Sequence, residues 1–175
     1  KLIEKISRQC RMPLCYGGGV STLDEAKKIL SLGVEKISFS SLFFYNVDEL
    51  KKIINQIGSQ SVVITLDFKP SIFGGFNYYI NNGKKKLNID TDTIVDIINR
   101  ISPGEVILNS IANDGMKCGY DLKILNFFSK KLTLPITISG GAKNIDSFVE
   151  AFKINSNALV PNNCWAMHAL RITFK

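Results

Sequence analysis

The sequence predicts an α/β fold, a (β/α)8 TIM barrel built from two half-barrel repeats and here incomplete. The expectation rests first on alternation, since short β-rich runs and stretches of helical apolar spacing follow one another along the chain. It rests next on the strands, which read as apolar on both faces, as parallel strands covered by helices do. It rests finally on an internal repeat. Met12-Pro13-Leu14-Cys15-Tyr16-Gly17-Gly18-Gly19 aligns with Leu134-Pro135-Ile136-Thr137-Ile138-Ser139-Gly140-Gly141 at an offset of 122 residues.

Each element has a local reason. Residues 12–16 form an apolar run entering Gly17-Gly18-Gly19, which predicts a strand and a tight turn. Residues 22–32 place Leu23, Ala26, Ile29 and Leu30 on one helical face, with Ser21 or Thr22 as N-cap and Gly33 as the stop. Strand 36–39 and helix 47–57, closed by Gly58, come next. The β-branched run 62–66 is a strand ending at Asp67. Residues 76–80 and 85–89, joined by a loop containing Asn82-Gly83, read as a surface hairpin. Helix 93–101, strand 105–109, helix 122–130, strand 134–138 and helix 145–154 complete the order, and 158–160 has the composition of a last strand.

The repeat sets the strand count. Three strands lie between its two copies, so one unit is four strand-helix modules and two units make eight. The same offset carries Leu23-Asp24 onto Ile145-Asp146 and Ser40-Ser41 onto Asn162-Asn163. The partners of the strands at 62–66 and 105–109 fall before Lys1. The expectation is therefore that about 60 residues, two of eight strands, precede it, and that residues 1–175 form one partial barrel domain with about six strands. A chance repeat in an open doubly wound sheet is the alternative.

Composition narrows the function classes. Hydrophobic residues make up 45% of the 175 residues, enough for one core. Apolar runs such as 62–66 are only strand-length, so no membrane span is expected, and no secretory signal opens the chain. Cys10, Cys15, Cys118 and Cys164 have no CxxC spacing and His168 is the only histidine, which argues against structural zinc. The thiols fit a reducing, cytoplasmic compartment and are expected to be mostly buried or incidental. Twenty-two basic against fifteen acidic side chains give +7, which favours anionic partners. The lysines come as scattered pairs plus the cluster at 84–86, without an arginine-rich arm or aromatic RNA-binding signature. That excludes nucleic acid as the expected partner and leaves either solvated lysine faces or a phosphorylated small molecule.

Candidate chemistry collects where strands end. Gly17, Gly18 and Gly19 let backbone N–H groups approach an anion closely, and Ser40 and Ser41 offer hydroxyls beside them. The repeat image is Gly140 and Gly141 with Asn162 and Asn163, joined by Asp114 and Gly115. Two such cradles on one barrel suggest a ligand with a phosphate at each end. Asp67 lies between them, where a carboxylate is costly to bury unless used or paired. Its structural alternative is a bond to loop backbone or a pairing with Lys69. Glu35, Lys36 and Glu105 precede their strands and are placed on the barrel floor, as solvated charges or as a ring of alternating sign.

Four stretches, CYGGGVSTLDEAKKILSLGVEKISFSS, GSQSVVITLDFK, GEVILNSIANDGMKCGYD and LPITISGGAKNIDSFVEAF, occur in the order of one known family. Over residues 2–157 the chain resembles the cyclase subunit of imidazole glycerol phosphate synthase. The MPLCYGGG wording and the closing ALRITF resemble a branch of that family associated with surface-polysaccharide genes. There the implied role is an ammonia conduit or scaffold for sugar amidation.

For the main family, the resemblance implies a lyase of histidine biosynthesis. A glutaminase partner docks on the barrel floor, and its ammonia passes through to a bisphosphate aminoimidazole carboxamide ribonucleotide. Neither cofactor nor metal is implied. Two aspartates act as acid and base. Asp67 matches the one after the fifth strand, and the other belongs to a strand before Lys1. The phosphate contacts carry over to Gly19, Ser40 and Ser41 at one end. At the other they carry over to Asp114, Gly115, Gly141, Asn162 and Asn163. The ammonia gate carries over to Glu35, Lys36 and Glu105, while a basic gate residue near the family's N-terminus has no counterpart. Ser40 stands where many members have Asn, Ala112-Asn113 replaces an Asp-Arg pair, and Pro161-Asn162-Asn163 replaces a small-residue segment. With one catalytic carboxylate instead of two, and unclosed edges, the expectation is little cyclase turnover and self-association.

Overall fold

The computed structural model describes residues 2–9 and 12–155. The strand expected at 158–160 lies outside the described residues, as do Asn162, Asn163, Cys10, Cys164 and His168. Helix α1 (Leu2–Gln9) precedes strand β1 (Cys15–Gly17), helix α2 (Leu23–Ser31) and strand β2 (Lys36–Phe39). Helices α3 (Ser41–Tyr45) and α4 (Val47–Ile57) follow, then a 3-10 turn (Ser59–Ser61) into the long strand β3 (Val62–Pro70). The hairpin strands β4 (Phe76–Ile80) and β5 (Lys85–Lys86) lead to helix α5 (Thr91–Ile101) and strand β6 (Glu105–Ser110). Helix α6 (Leu122–Ser129), strand β7 (Ile136–Ser139) and helix α7 (Ile145–Ile154) complete the order.

Local chemistry explains the boundaries. Thr22 closes a capping box at the start of α2: its side chain accepts from the Glu25 N–H, and Glu25 accepts from the Thr22 N–H. Asn46, Asp90, Asp121 and Asn144 cap α4, α5, α6 and α7 in the same way. The hairpin loop puts Asn81, Asn82 and Gly83 all at positive φ, which the two asparagines and the glycine tolerate.

β1, β2, β3, β6 and β7 are consecutive parallel neighbours, the arrangement of a partial (β/α)8 barrel. β3 is longer than its sequence run suggests. Beyond the end of β2 its exposed flank is taken over by β4, which pairs antiparallel from Asp67↔Tyr79 to Pro70↔Phe76. The ladder thus continues where parallel pairing stops.

The two faces of the sheet differ, which corrects the expectation of strands apolar on both sides. One face carries Ile37, Phe39, Ile64, Leu66, Phe68, Val106, Leu108, Ile136 and Ile138. These join Leu50 and Ile53 of α4, Ile94 and Ile98 of α5, and Ile124, Leu125 and Phe128 of α6 in one buried cluster. The register places Lys36, Ser38, Thr65, Asp67, Glu105, Asn109, Thr137 and Ser139 together on the opposite, inner face. That face is polar. Of the thiols expected to be buried or incidental, Cys15 and Cys118 are exposed. No helix among the described residues is long and apolar enough to cross a membrane.

Candidate functional site

Parallel pairing puts the C-terminal ends of β1, β2, β3, β6 and β7 on one edge of the sheet, and the residues at that edge follow from the strand order. β3 is central. The glycines after β1 lie two strands to one side of it and those after β7 two strands to the other. Down the inner face, the polar side chains form three tiers.

The lowest tier joins strand starts. Lys36 reaches from β2 across β3, its Nζ 2.6 Å from Glu105 Oε2, while Thr137 Oγ1 donates to Glu105 Oε1 at 2.7 Å. Glu105 is only 8% exposed, so its charge is held by one partner on each oxygen. Of the three floor residues read from sequence, the structure brings Lys36 and Glu105 together. Glu35 is exposed just before β2 and takes no part in that pair. In the middle tier, the Ser38 and Thr65 hydroxyls are 2.6 Å apart.

The uppermost tier is Asp67 with Asn109. Asn109 Nδ2 donates to Asp67 Oδ1 at 2.7 Å. Burial pushes the Asp67 carboxyl above its ordinary range, and the Asn109 hydrogen bond opposes that shift. Among the described residues, neither structural alternative for Asp67 forms. Lys69, on the same strand, instead stands over the Tyr79 ring with Nζ 5.0 Å from its centroid.

The glycine loops differ from each other. Gly18 and Gly19 have φ of 139° and 71°, which glycine adopts readily. A Cβ on Gly19 would meet nothing within 4 Å, so the backbone there is open to a ligand. Next to this loop, Ser40 presents a buried Oγ with no hydrogen-bond partner among the described residues. Ser41 Oγ donates to Asn81 Oδ1 of the hairpin at 3.4 Å. On the other side, Gly140 and Gly141 are packed tightly. A Cβ on Gly140 would lie 2.4 Å from the Ser110 carbonyl oxygen, and one on Gly141 2.2 Å from that of Gly119. The Gly119 N–H donates to the Gly141 carbonyl at 2.7 Å. The loop carrying Asp114 and Gly115 is thereby fastened to the second glycine turn, with Asp114 and Gly115 themselves exposed. Asn162 and Asn163, the remaining members of that seat, lie outside the described residues.

Sequence reasoning missed Ser38, Thr65, Asn109 and Thr137. A signal was present: Glu105 and Asn109 are four apart on one strand, and Lys36 and Ser38 two apart, so each pair shares a face. No group of three or more His, Cys, Asp or Glu side chains suited to a metal ion occurs among the described residues.

Comparison with known proteins gives the family. The profile of the family described as "Histidine biosynthesis protein" matches residues 1–163. A Vibrio vulnificus protein named "Putative imidazole glycerol phosphate synthase subunit hisF3" is 43% identical over 85% of this chain and 58% of its own length. A Leptospira borgpetersenii protein named "Putative imidazole glycerol phosphate synthase subunit HisF" is 42% identical over 83% of the chain and 58% of its own. "Imidazole glycerol phosphate synthase subunit HisF" of Hydrogenobaculum sp. is 33% identical over 87% and 61% respectively. The chain therefore spans about three-fifths of the length of the curated relatives it matches.

Proposed function

This chain belongs to the histidine biosynthesis protein family and is HisF-like, and on that footing we propose that it works as a cyclase subunit of a lyase. The reaction it serves joins ammonia, released by a glutaminase partner, to a bisphosphate aminoimidazole carboxamide ribonucleotide. The products are imidazole glycerol phosphate and the carboxamide ribotide. The observation that carries this reading is the placement of Asp67. A carboxyl with a raised pKa sits in the central strand, with a glycine turn two strands away on each side.

Each tier has a part in the proposal. Gly18, Gly19, Ser40 and Ser41 receive one phosphate, the first two through backbone N–H groups, with open space beside Gly19. Gly140, Gly141, Asp114 and Gly115, with Asn162 and Asn163, receive the other. Asp67 holds or takes up a proton at the reacting centre between them. The Lys36–Glu105 pair, beside exposed Glu35, forms the floor through which ammonia enters and against which the glutaminase docks. The Ser38 and Thr65 hydroxyls line the way up. Residues 1–175 serve as one domain in this scheme.

Calorimetric titration of the 175-residue chain with the bisphosphate substrate tests the reading. Binding at least tenfold tighter than inorganic phosphate is expected, weakened by Gly19→Ala. Affinity no better than that for inorganic phosphate would refute it. Turnover with ammonium salt is read alongside, and Asp67→Asn is expected to remove whatever turnover occurs while leaving binding within about threefold.

A further inference from the structure

We infer that Asn109 is the positioning residue for Asp67, fixing which carboxylate oxygen reacts and offering its own amide oxygen to the substrate. The inference rests on the proposed acid-base role of Asp67 and extends it to a residue that the family resemblance did not single out.

The geometry is specific. Asp67 and Asn109 are register partners on adjacent parallel strands and point to the same face. A carboxylate only accepts hydrogen bonds, so the amide must turn its nitrogen toward it. That single bond, 2.7 Å from Nδ2 to Oδ1, engages Oδ1 and leaves Oδ2 as the oxygen for proton transfer. It also dictates where the Asn109 carbonyl goes. Asn109 Oδ1 is buried and has no hydrogen-bond partner among the described residues. A buried amide oxygen without a donor carries a desolvation penalty, which a ligand N–H or O–H arriving beside Asp67 would relieve. The carboxamide and amine groups of the proposed substrate supply such donors. Asn109 thus serves two ends at once, donating to the catalytic carboxyl and accepting from what binds next to it.

The other groups around Asp67 do not substitute for it. Tyr79, its register partner on β4, and Lys69, two residues on, engage each other through a cation–π contact. Ser139 flanks Asn109 on β7 and is not ionisable at ordinary pH. Lys36 and Glu105 are paired at the opposite end of the strands. Asn109 is the polar partner that contacts the carboxyl.

The test is carbon NMR titration of the Asp67 side-chain carboxyl in aspartate-labelled full chain, assigned by its loss in Asp67→Asn. Asn109→Leu removes the donor at similar size. Asn109→Asp keeps the shape but replaces the donating nitrogen by a second acid. Loss of a hydrogen bond to the charged form raises the Asp67 midpoint, by about one pH unit or more in Asn109→Leu. In Asn109→Asp the two carboxyls are expected to titrate as a pair, with one midpoint above that of the wild type. A midpoint that stays put or falls in the folded variants overturns the inference, and Asn109→Asp decides alone if Asn109→Leu does not fold. A purely structural role would move thermal stability without moving the midpoint. Because the titration needs no turnover, it separates failure of this inference from failure of the lyase assignment. Loss of catalysis in the wild type with the midpoint shift intact would sink only the latter.

Discussion

Replacing Lys36 and Glu105 by methionine, singly and together, probes whether the floor pair is a working ion pair. The pair is half-sheltered. The Lys36 side chain is 23% exposed and that of Glu105 11%, with the contact at 2.6 Å. Fully exposed pairs are worth about 0–1 kcal/mol, whereas stranding one charge of a buried pair costs about 3–5 kcal/mol. Glu105→Met leaves the Lys36 ammonium facing an apolar side chain and deprives the Thr137 hydroxyl of its acceptor. A loss of about 3 kcal/mol is expected. Lys36→Met leaves Glu105 with Thr137 still donating, so about 2 kcal/mol is expected. The double variant removes both charges and should lose about 2 kcal/mol less than the sum of the singles. Urea unfolding with a shared m value measures all four proteins. A coupling below about 0.5 kcal/mol would mean that water screens the two charges, and the proposal of the pair as the floor's ammonia gate would fall with it.

Two further expectations follow from the site. Gly141→Ala puts a Cβ 2.2 Å from a backbone oxygen at a φ of 95°, whereas Gly19→Ala at φ 71° meets open space. Urea unfolding is therefore expected to show a loss above about 3 kcal/mol for the first and about 1–2 kcal/mol for the second, and equal losses would contradict the difference in packing. Asp67→Asn should be more stable than the wild type at pH 7. The folded carboxyl has a pKa raised above its unfolded value, so folding favours its protonated form. Its contribution is therefore fully present at acid pH and is lost as pH rises through the raised pKa. The stability gap between variant and wild type should open over that window and close in acid, which thermal melts at pH 3 and 7 would check.

Much of this was legible in the sequence, for reasons that can be named. β2, α4 and α7 run over the spans read from periodicity; asparagine caps start both helices where their apolar patterns begin, and Gly58 stops α4. Asp67 was visible as a carboxylate ending an apolar strand. Helix α3 was not, since its five residues are too few to show a helical period. The N-terminal helix α1 carried no reading either. The polar inner face was hidden because Thr65 is β-branched and blends with the valines and isoleucines around it. Asn109 closes a strand whose other residues looked like core. Its importance depends on register with Asp67, 42 positions away, which no local pattern encodes. Glu35 and Lys36 were adjacent in the reading, yet alternation along a strand sends neighbours to opposite faces, and only Lys36 reaches Glu105.

The central strand has consequences for motion. β3 is flanked along its length by β6, and on its other flank β2 hands over to β4 where the carboxylate begins. Asp67 is therefore riveted to its neighbours on both sides, while the two glycine turns hang from outlying staves. Were the open Gly18-Gly19 turn to shift around a ligand, the Asp67 anvil would keep its place, because its ladder is independent of that turn.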